Sequence, residues 1–212
     1  MKKYIIIGII CSLLYSCAKD SNCKSEINNN TVTSSIGKSL PDISLNAFKN
    51  GSIFKIKLSV YKGKWLILFF YPGDFTFICP TELKQLAEYY PAFKEMGTEV
   101  ISISTDSVYV HKAWHHDNES VRKVAFPMAS DRSGSLSKSL GIYNDEGFSE
   151  RATFIINPEG KIVSYEVNHE TIGRSADELL RKLQAAVAAQ NSHGGMCPAG
   201  WKPGDALIVP EK

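Results

Sequence analysis

The sequence has no C-x-x-C pair. That absence excludes a thioredoxin-type dithiol site and a zinc ribbon. It has no apolar run near the ~20 residues that a membrane-spanning helix needs. The run from Tyr4 to Tyr15 covers only 12 residues. It has little excess charge of either sign, with 24 Lys and Arg against 22 Asp and Glu. No basic patch with interleaved aromatics occurs, so nucleic acid and strongly acidic partners are not indicated. There is no internal repeat. The length of 212 residues and an apolar content of 43% suit one domain with a full core.

Cysteine is scarce: five residues, at 11, 17, 23, 79 and 197. Cys11 and Cys17 lie in or at an N-terminal stretch that reads as an export signal, and Cys23 lies just after it, in a tether where it reads as a spare thiol. Lys2 and Lys3 form a positive start, and the 12-residue apolar run follows. It ends in Leu14-Tyr15-Ser16-Cys17, which resembles a bacterial lipobox. Cleavage before Cys17 and lipid attachment to it are therefore expected. Tyr15 is bulkier than the usual residue there, and an uncleaved anchor or an upstream mis-start remains the bland alternative. Residues 17–37 then form the lipidated Cys17 and a Ser-, Asn- and Thr-rich tether. Removing residues 1–16 leaves a chain of net charge zero, because Lys2 and Lys3 are the only charges there.

The domain is expected over residues 38–190, with a Gly- and Pro-punctuated tail over 191–212. Residues 43–45 and 53–56 alternate around Asn50-Gly51, a hairpin signal. Trp65 to Tyr71 has the apolar, aromatic content of a buried strand, and Pro72-Gly73 stops it. A helix is expected over 80–96, with Leu83, Leu86, Ala87, Tyr90 and Phe93 inward and a kink or division at Pro91. Further strands are expected at 100–104, 127–129, 152–157 and 162–167. Asp106 or Ser107 is placed to cap a helix to about 118, and Ser175 a long helix to about 190. Strands alternating with helices, plus two hairpins, predict an α/β sheet covered by helices, a thioredoxin-like fold with an N-terminal hairpin and a C-terminal extension.

Cys79 precedes Pro80, and Pro is favoured in the first helical turn. Cys79 thus sits where free backbone N–H groups and the helix dipole favour an anion. It is the candidate nucleophile. Thr76, three residues earlier, is near enough to reach the sulfur or a bound oxygen. Pro72 shapes the loop and shields the sulfur. Arg151 opens the apolar pattern 152–156. A lone Arg there is ordinarily a solvated charge, yet it is the best candidate for a fixed cation beside the sulfur. His111 and His115 have zinc-compatible i, i+4 spacing, but no third ligand is evident. A polar helix face is the preferred reading, and neither metal nor cofactor is expected.

The stretch Pro72-x-x-x-Thr76-x-x-Cys79-Pro80-Thr81-Glu82 resembles the peroxiredoxin active-site motif. Asp106, His111 to His115, Arg151-Ala152-Thr153-Phe154, Gly173-Arg174 and Met196-Cys197-Pro198 resemble the typical two-cysteine branch, on the side of the bacterial alkyl hydroperoxide reductases. The resemblance covers about residues 38–209. It implies a thiol peroxidase acting on hydrogen peroxide and alkyl hydroperoxides in antioxidant defence. Cys79 would be the peroxidatic cysteine and Cys197 the resolving one, joined in a disulfide between chains. Thr76 and Arg151 would bind the peroxide, and Glu82 would orient Arg151. A homodimer, assembling to a decamer, and an outside thiol reductant, thioredoxin-like or a flavoprotein disulfide reductase, are implied as partners. The Gly-Gly-Leu-Gly insert and C-terminal Tyr-Phe helix of easily over-oxidised members are not seen, which implies resistance to peroxide inactivation. The export signal predicts a lipid-anchored protein of the cell envelope, facing the periplasm or on the outer membrane, or a cytoplasmic one if the signal is unused. An oligomeric holdase or peroxide sensor using the same cysteines is the rival reading. A general disulfide reductase is opposed by the missing C-x-x-C.

Overall fold

The computed structural model describes residues 34–210. The signal segment, Cys17, Cys23 and most of the tether lie outside the described residues. Gly37, the last residue of the expected tether, donates its N–H to the Ile162 carbonyl at 2.8 Å.

β1 (Ser44–Lys49) and β2 (Ser52–Lys57) form the hairpin, with Lys49 opposite Ser52. Asn50 and Gly51 take φ of 49° and 81°. Two positive φ values are what a tight two-residue turn demands, and Asn-Gly supplies them with least strain. β3 (Trp65–Phe70) is followed by α1 (Cys79–Glu95), β4 (Thr98–Ser104), α2 (Val108–Asp117) and β5 (Met128–Ser130). Then come α3 (Ser135–Ser139), β6 (Arg151–Ile156), β7 (Ile162–Asn168) and α4 (Ala176–Asn191). The seven strands form one sheet in the order β2-β1-β5-β4-β3-β6-β7. β3, β4 and β5 are parallel, β6 pairs antiparallel with β3, and β7 pairs antiparallel with β6.

β3 is buried at all six positions because helices cover both sheet faces. The pleat sends Ile67 and Phe69 to one face, beside α1 and α4, and Leu66, Leu68 and Phe70 to the other, beside α3. The same alternation governs β6. Ala152, Phe154 and Ile156 join the α3 side, so Arg151, Thr153 and Ile155 face α1 and α4. Arg151 is thereby delivered to the face that carries Cys79.

α1 runs unbroken through Pro91, so it is one helix rather than two pieces. Pro91 lies on its exposed side, where a missing bond to Ala87 leaves no buried group unpaired. Ser107, not Asp106, caps α2 through its hydroxyl and the Val110 N–H. Ser175 caps α4 in the same way through Glu178.

The polar-face reading of α2 fails for one histidine. His111 is fully buried, because α2 presses it against the loop after β3. Its Nδ1 lies 2.7 Å from Asp74 Oδ2 and its Nε2 3.2 Å from the Ala129 carbonyl. Trp114 is core, packed on Tyr71 and Phe75.

Candidate active site

Cys79 is the first residue of α1, with Pro80 second and no side-chain cap ahead of it. The sulfur is completely buried. Arg151 Nη1 donates to Sγ at 3.5 Å and to Glu82 Oε2 at 2.5 Å. Glu82 stands three residues beyond Cys79, one helical turn on, so both face the same way. Arg151 Nη2 donates to the Glu170 carbonyl at 2.8 Å. Its buried Nε has no partner among the described residues.

A second guanidinium completes the site, and the motif reading had given it no role. Arg174 donates to Glu82 from its backbone N at 2.7 Å, from Nε at 3.0 Å and from Nη2 at 2.9 Å. Its Nη1 donates to the Ala152 carbonyl at 2.8 Å and to Thr153 Oγ1 at 3.1 Å. The guanidinium carbon lies 3.5 Å over the Phe69 ring. The sequence signal was Gly173: a Cβ there would come within 3.3 Å of the Ile78 side chain, a tight contact that glycine avoids where this segment approaches the start of α1.

Burial opposes ionisation of Glu82, but Arg174 and then Arg151 outweigh it and hold the carboxyl below its usual range. Two guanidinium groups share one carboxylate. The buried site therefore carries one surplus positive charge, against which the Cys79 sulfur is placed.

The loop between β3 and α1 is pinned from beneath. Asp74 N donates to Asp106 Oδ2 at 2.8 Å, and Tyr71 Oη donates to Asp74 Oδ1 at 2.8 Å. Burial pushes the Asp74 carboxyl up, with His111 opposing. Pro72, half-buried, follows Tyr71 at the head of this loop. Thr76 is exposed, and its hydroxyl donates to the Gly73 carbonyl at 2.9 Å rather than to the sulfur.

Cys197 is not beside Cys79, and both thiols are free. Its S–H donates to the Ala185 carbonyl at 3.4 Å. Ala185 is nine residues into α4, about 14 Å along the helix from the end near Glu82. The tail around it is folded, not loose. Met196 and Ile208 exchange backbone hydrogen bonds at 2.8 and 2.9 Å. Trp201 is buried, and Arg181 donates to its carbonyl at 3.1 Å.

A family model described as the AhpC/TSA family matches residues 36–165, and one for the C-terminal domain of 1-Cys peroxiredoxin matches residues 187–212. The second segment includes Cys197 in this chain. Alkyl hydroperoxide reductase C of Escherichia coli (strain K12) is 43% identical over 165 residues, 77% of this chain and 88% of that protein. The Bacillus subtilis (strain 168) protein of the same name is 42% identical, over 82% of this chain and 94% of that one. The crystal structure of Enterococcus faecalis AhpC superposes with a TM-score of 0.76 at 41% identity, covering 78% of this chain and all 100% of that one. Reduced Plasmodium vivax 2-Cys peroxiredoxin gives 0.80 at 32% identity, covering 82% and 93%.

Fold, site and likeness together define a peroxiredoxin, an enzyme that reduces peroxide with a thiol. Within that class, the chain belongs to the AhpC/TSA family.

Proposed function

We propose that Cys79 is the peroxidatic thiol and that hydrogen peroxide and alkyl hydroperoxides are its substrates. The observation that carries this is the Arg151 guanidinium donating to Cys79 Sγ at 3.5 Å while Glu82 holds it. The Cys79 thiolate supplies the negative charge that the two-arginine, one-carboxylate cluster lacks. It attacks one peroxide oxygen. The O–O bond breaks, two electrons pass from sulfur, and the departing oxygen leaves as water or an alcohol after taking a proton. Arg151 stabilises the charge that develops on that oxygen. Thr76, once turned from Gly73, offers its hydroxyl to the peroxide, and Pro72 keeps water from the sulfur.

The product is a Cys79 sulfenic acid. Cys197 from a second copy attacks it, water leaves, and a disulfide forms. An external dithiol, from a thioredoxin-like or flavoprotein reductase, returns the two electrons. Resolution protects Cys79 from irreversible oxidation. A homodimer is supported by β7, an edge strand whose Tyr165 and Val167 stay exposed. Assembly to a ring is supported by Phe75 and Phe77, which the loop leaves 55% and 96% exposed. The rival holdase or sensor reading is not favoured by a likeness to reductases that spans most of the chain.

Turnover with a recycling dithiol tests this. Cys79→Ser should abolish peroxide consumption. Cys197→Ser should retain one fast reaction per chain and then stop. Full turnover in Cys79→Ser would sink the assignment.

The lipobox-like Leu14-Tyr15-Ser16-Cys17 supports export and anchoring to the cell envelope through Cys17. Intact-mass measurement on the membrane fraction tests it. A diacyl or triacyl adduct starting at Cys17 is expected, and an unmodified chain beginning at Met1 would overturn it.

A further inference from the structure

The group that holds Arg151 from the far side is a backbone carbonyl, and a histidine closes the turn that presents it. Arg151 Nη2 donates to the Glu170 carbonyl at 2.8 Å. Glu170 lies in the turn His169–Ile172, closed by the Ile172 N–H donating to the His169 carbonyl at 2.9 Å. The His169 side chain folds back over this turn. The Thr171 N–H donates to its Nδ1 at 3.3 Å, and Thr171 Oγ1 lies 2.8 Å from the same nitrogen. A backbone N–H can only donate, so Nδ1 must be the bare, accepting nitrogen and the ring proton must sit on Nε2. The imidazole here does what an Asn or Asp side chain does in an Asx turn.

This arrangement holds for one protonation state only. On the imidazolium both nitrogens are donors. The Thr171 hydroxyl can turn round and accept from Nδ1–H, but the Thr171 backbone N–H cannot. It then faces another N–H, and the turn keeps its Ile172-to-His169 backbone bond but loses the side-chain bond that braces it. The turn is exposed to solvent, so a proton reaches it without unfolding. The ionisable groups that share its cleft are Asp145, Glu146, Glu150 and Glu170, with Arg151 behind the Glu170 carbonyl.

We infer that His169 is a positioning residue for Arg151: its unprotonated Nδ1 closes the turn whose Glu170 carbonyl steadies the guanidinium, and protonation of the ring slows the reaction of Cys79 with peroxide. The inference rests on Arg151 serving Cys79 as proposed above. A shift of the guanidinium by a fraction of an ångström from the sulfur is enough to change the rate, because charge stabilisation of this kind depends on placement.

The test is reductant-free, single-turnover oxidation of the full chain by hydrogen peroxide, followed by intact mass at about pH 7.5 and about pH 5.5, a range that spans ordinary imidazole titration. His169→Ala should be slower than the wild type by about tenfold at the higher pH, and the gap should narrow at the lower pH, where protonation takes the same contact from the wild type. His169→Asn, which restores an acceptor without a titrating ring, should match the wild type at the higher pH within about twofold and lose less rate on acidification. The nearby carboxylates and Cys79 are unchanged in both variants, so the difference isolates the imidazole. Equal rates for His169→Ala and wild type at the higher pH overturn the inference, as does an undiminished acid loss in His169→Asn. Arg151→Ala is the control for the underlying reading. If it reacts as fast as the wild type, Arg151 does not serve Cys79. If it is slow while His169→Ala is fast, only the positioning role falls.

Discussion

Arg174 grips Glu82 through three hydrogen bonds, from its backbone N, Nε and Nη2. Arg151 reaches the same carboxylate through one. Glu82 is thus anchored to the fold by Arg174 and offers its remaining capacity to the arginine at the sulfur. The pair divides the work: Arg174 fixes the carboxylate, and the carboxylate aims Arg151.

Removing that carboxylate should be costly. Glu82→Gln leaves two buried guanidinium groups facing a neutral amide. Breaking a buried pair by deleting one partner costs about 3–5 kcal/mol. Urea unfolding of the reduced protein measures it, and a loss under about 1 kcal/mol would show that the cluster does not support the fold.

Acid should weaken the protein through the same residue. The folded carboxyl of Glu82 titrates below its ordinary value of 4.5. Its contribution is therefore fully present above about pH 4.5 and is lost as the pH falls through the folded value. Wild type should lose more stability than Glu82→Gln between about pH 5 and about pH 3. Parallel acid curves for the two proteins would contradict the sign.

Arg151→Lys keeps the charge but removes the fork that bonds sulfur, carboxylate and the Glu170 carbonyl together. Oxidation of Cys79 should slow by about a hundredfold, the order expected for one lost donor to developing charge. Stopped-flow measurement at fixed peroxide concentration gives the number. A change below about threefold would mean that charge alone suffices.

The two cysteines cannot react from the positions described. Cys79 is fully buried at the start of α1, and Cys197 rests on α4. With Cys197 resolving Cys79 as proposed, the first turn of α1 is expected to open as the disulfide forms. Amide exchange at residues 76–84 should be faster in the disulfide form than in the reduced form. Equal protection in both would show that Cys79 is reached without unwinding.

Local features carried most of the fold into the sequence. The unbroken apolar run of β3, the Asn50-Gly51 turn and the serine caps each depend on neighbours within a few residues. Cys79 ahead of Pro80 was legible for the same reason. Arg151 could be nominated but not placed, because it meets Cys79 across 72 positions only after β6 pairs with β3. Arg174 was marked only by the Gly173-Arg174 resemblance and given no role, because its partner lies 92 positions away and an Arg after a Gly reads locally as a loop. Glu82 was reached through family resemblance, since a Glu in a first helical turn is ordinarily a solvated complement to the dipole. His111 misled because its helix looks polar by composition. Its burial is decided by Asp74, which arrives from the other side of the sequence gap.

The Nε of Arg151 is buried without an acceptor among the described residues. An unsatisfied donor of this kind costs about 1–3 kcal/mol. The working arginine is thus a defect in the fold that carries it. Arg151→Met would remove that unpaired donor, but it would also break the buried pair with Glu82 and strip the Glu170 carbonyl of its donor. The broken pair is the larger of the two costs, so the variant should melt below the wild type. The strain at Nε is therefore outweighed by the bonds that the other guanidinium nitrogens make.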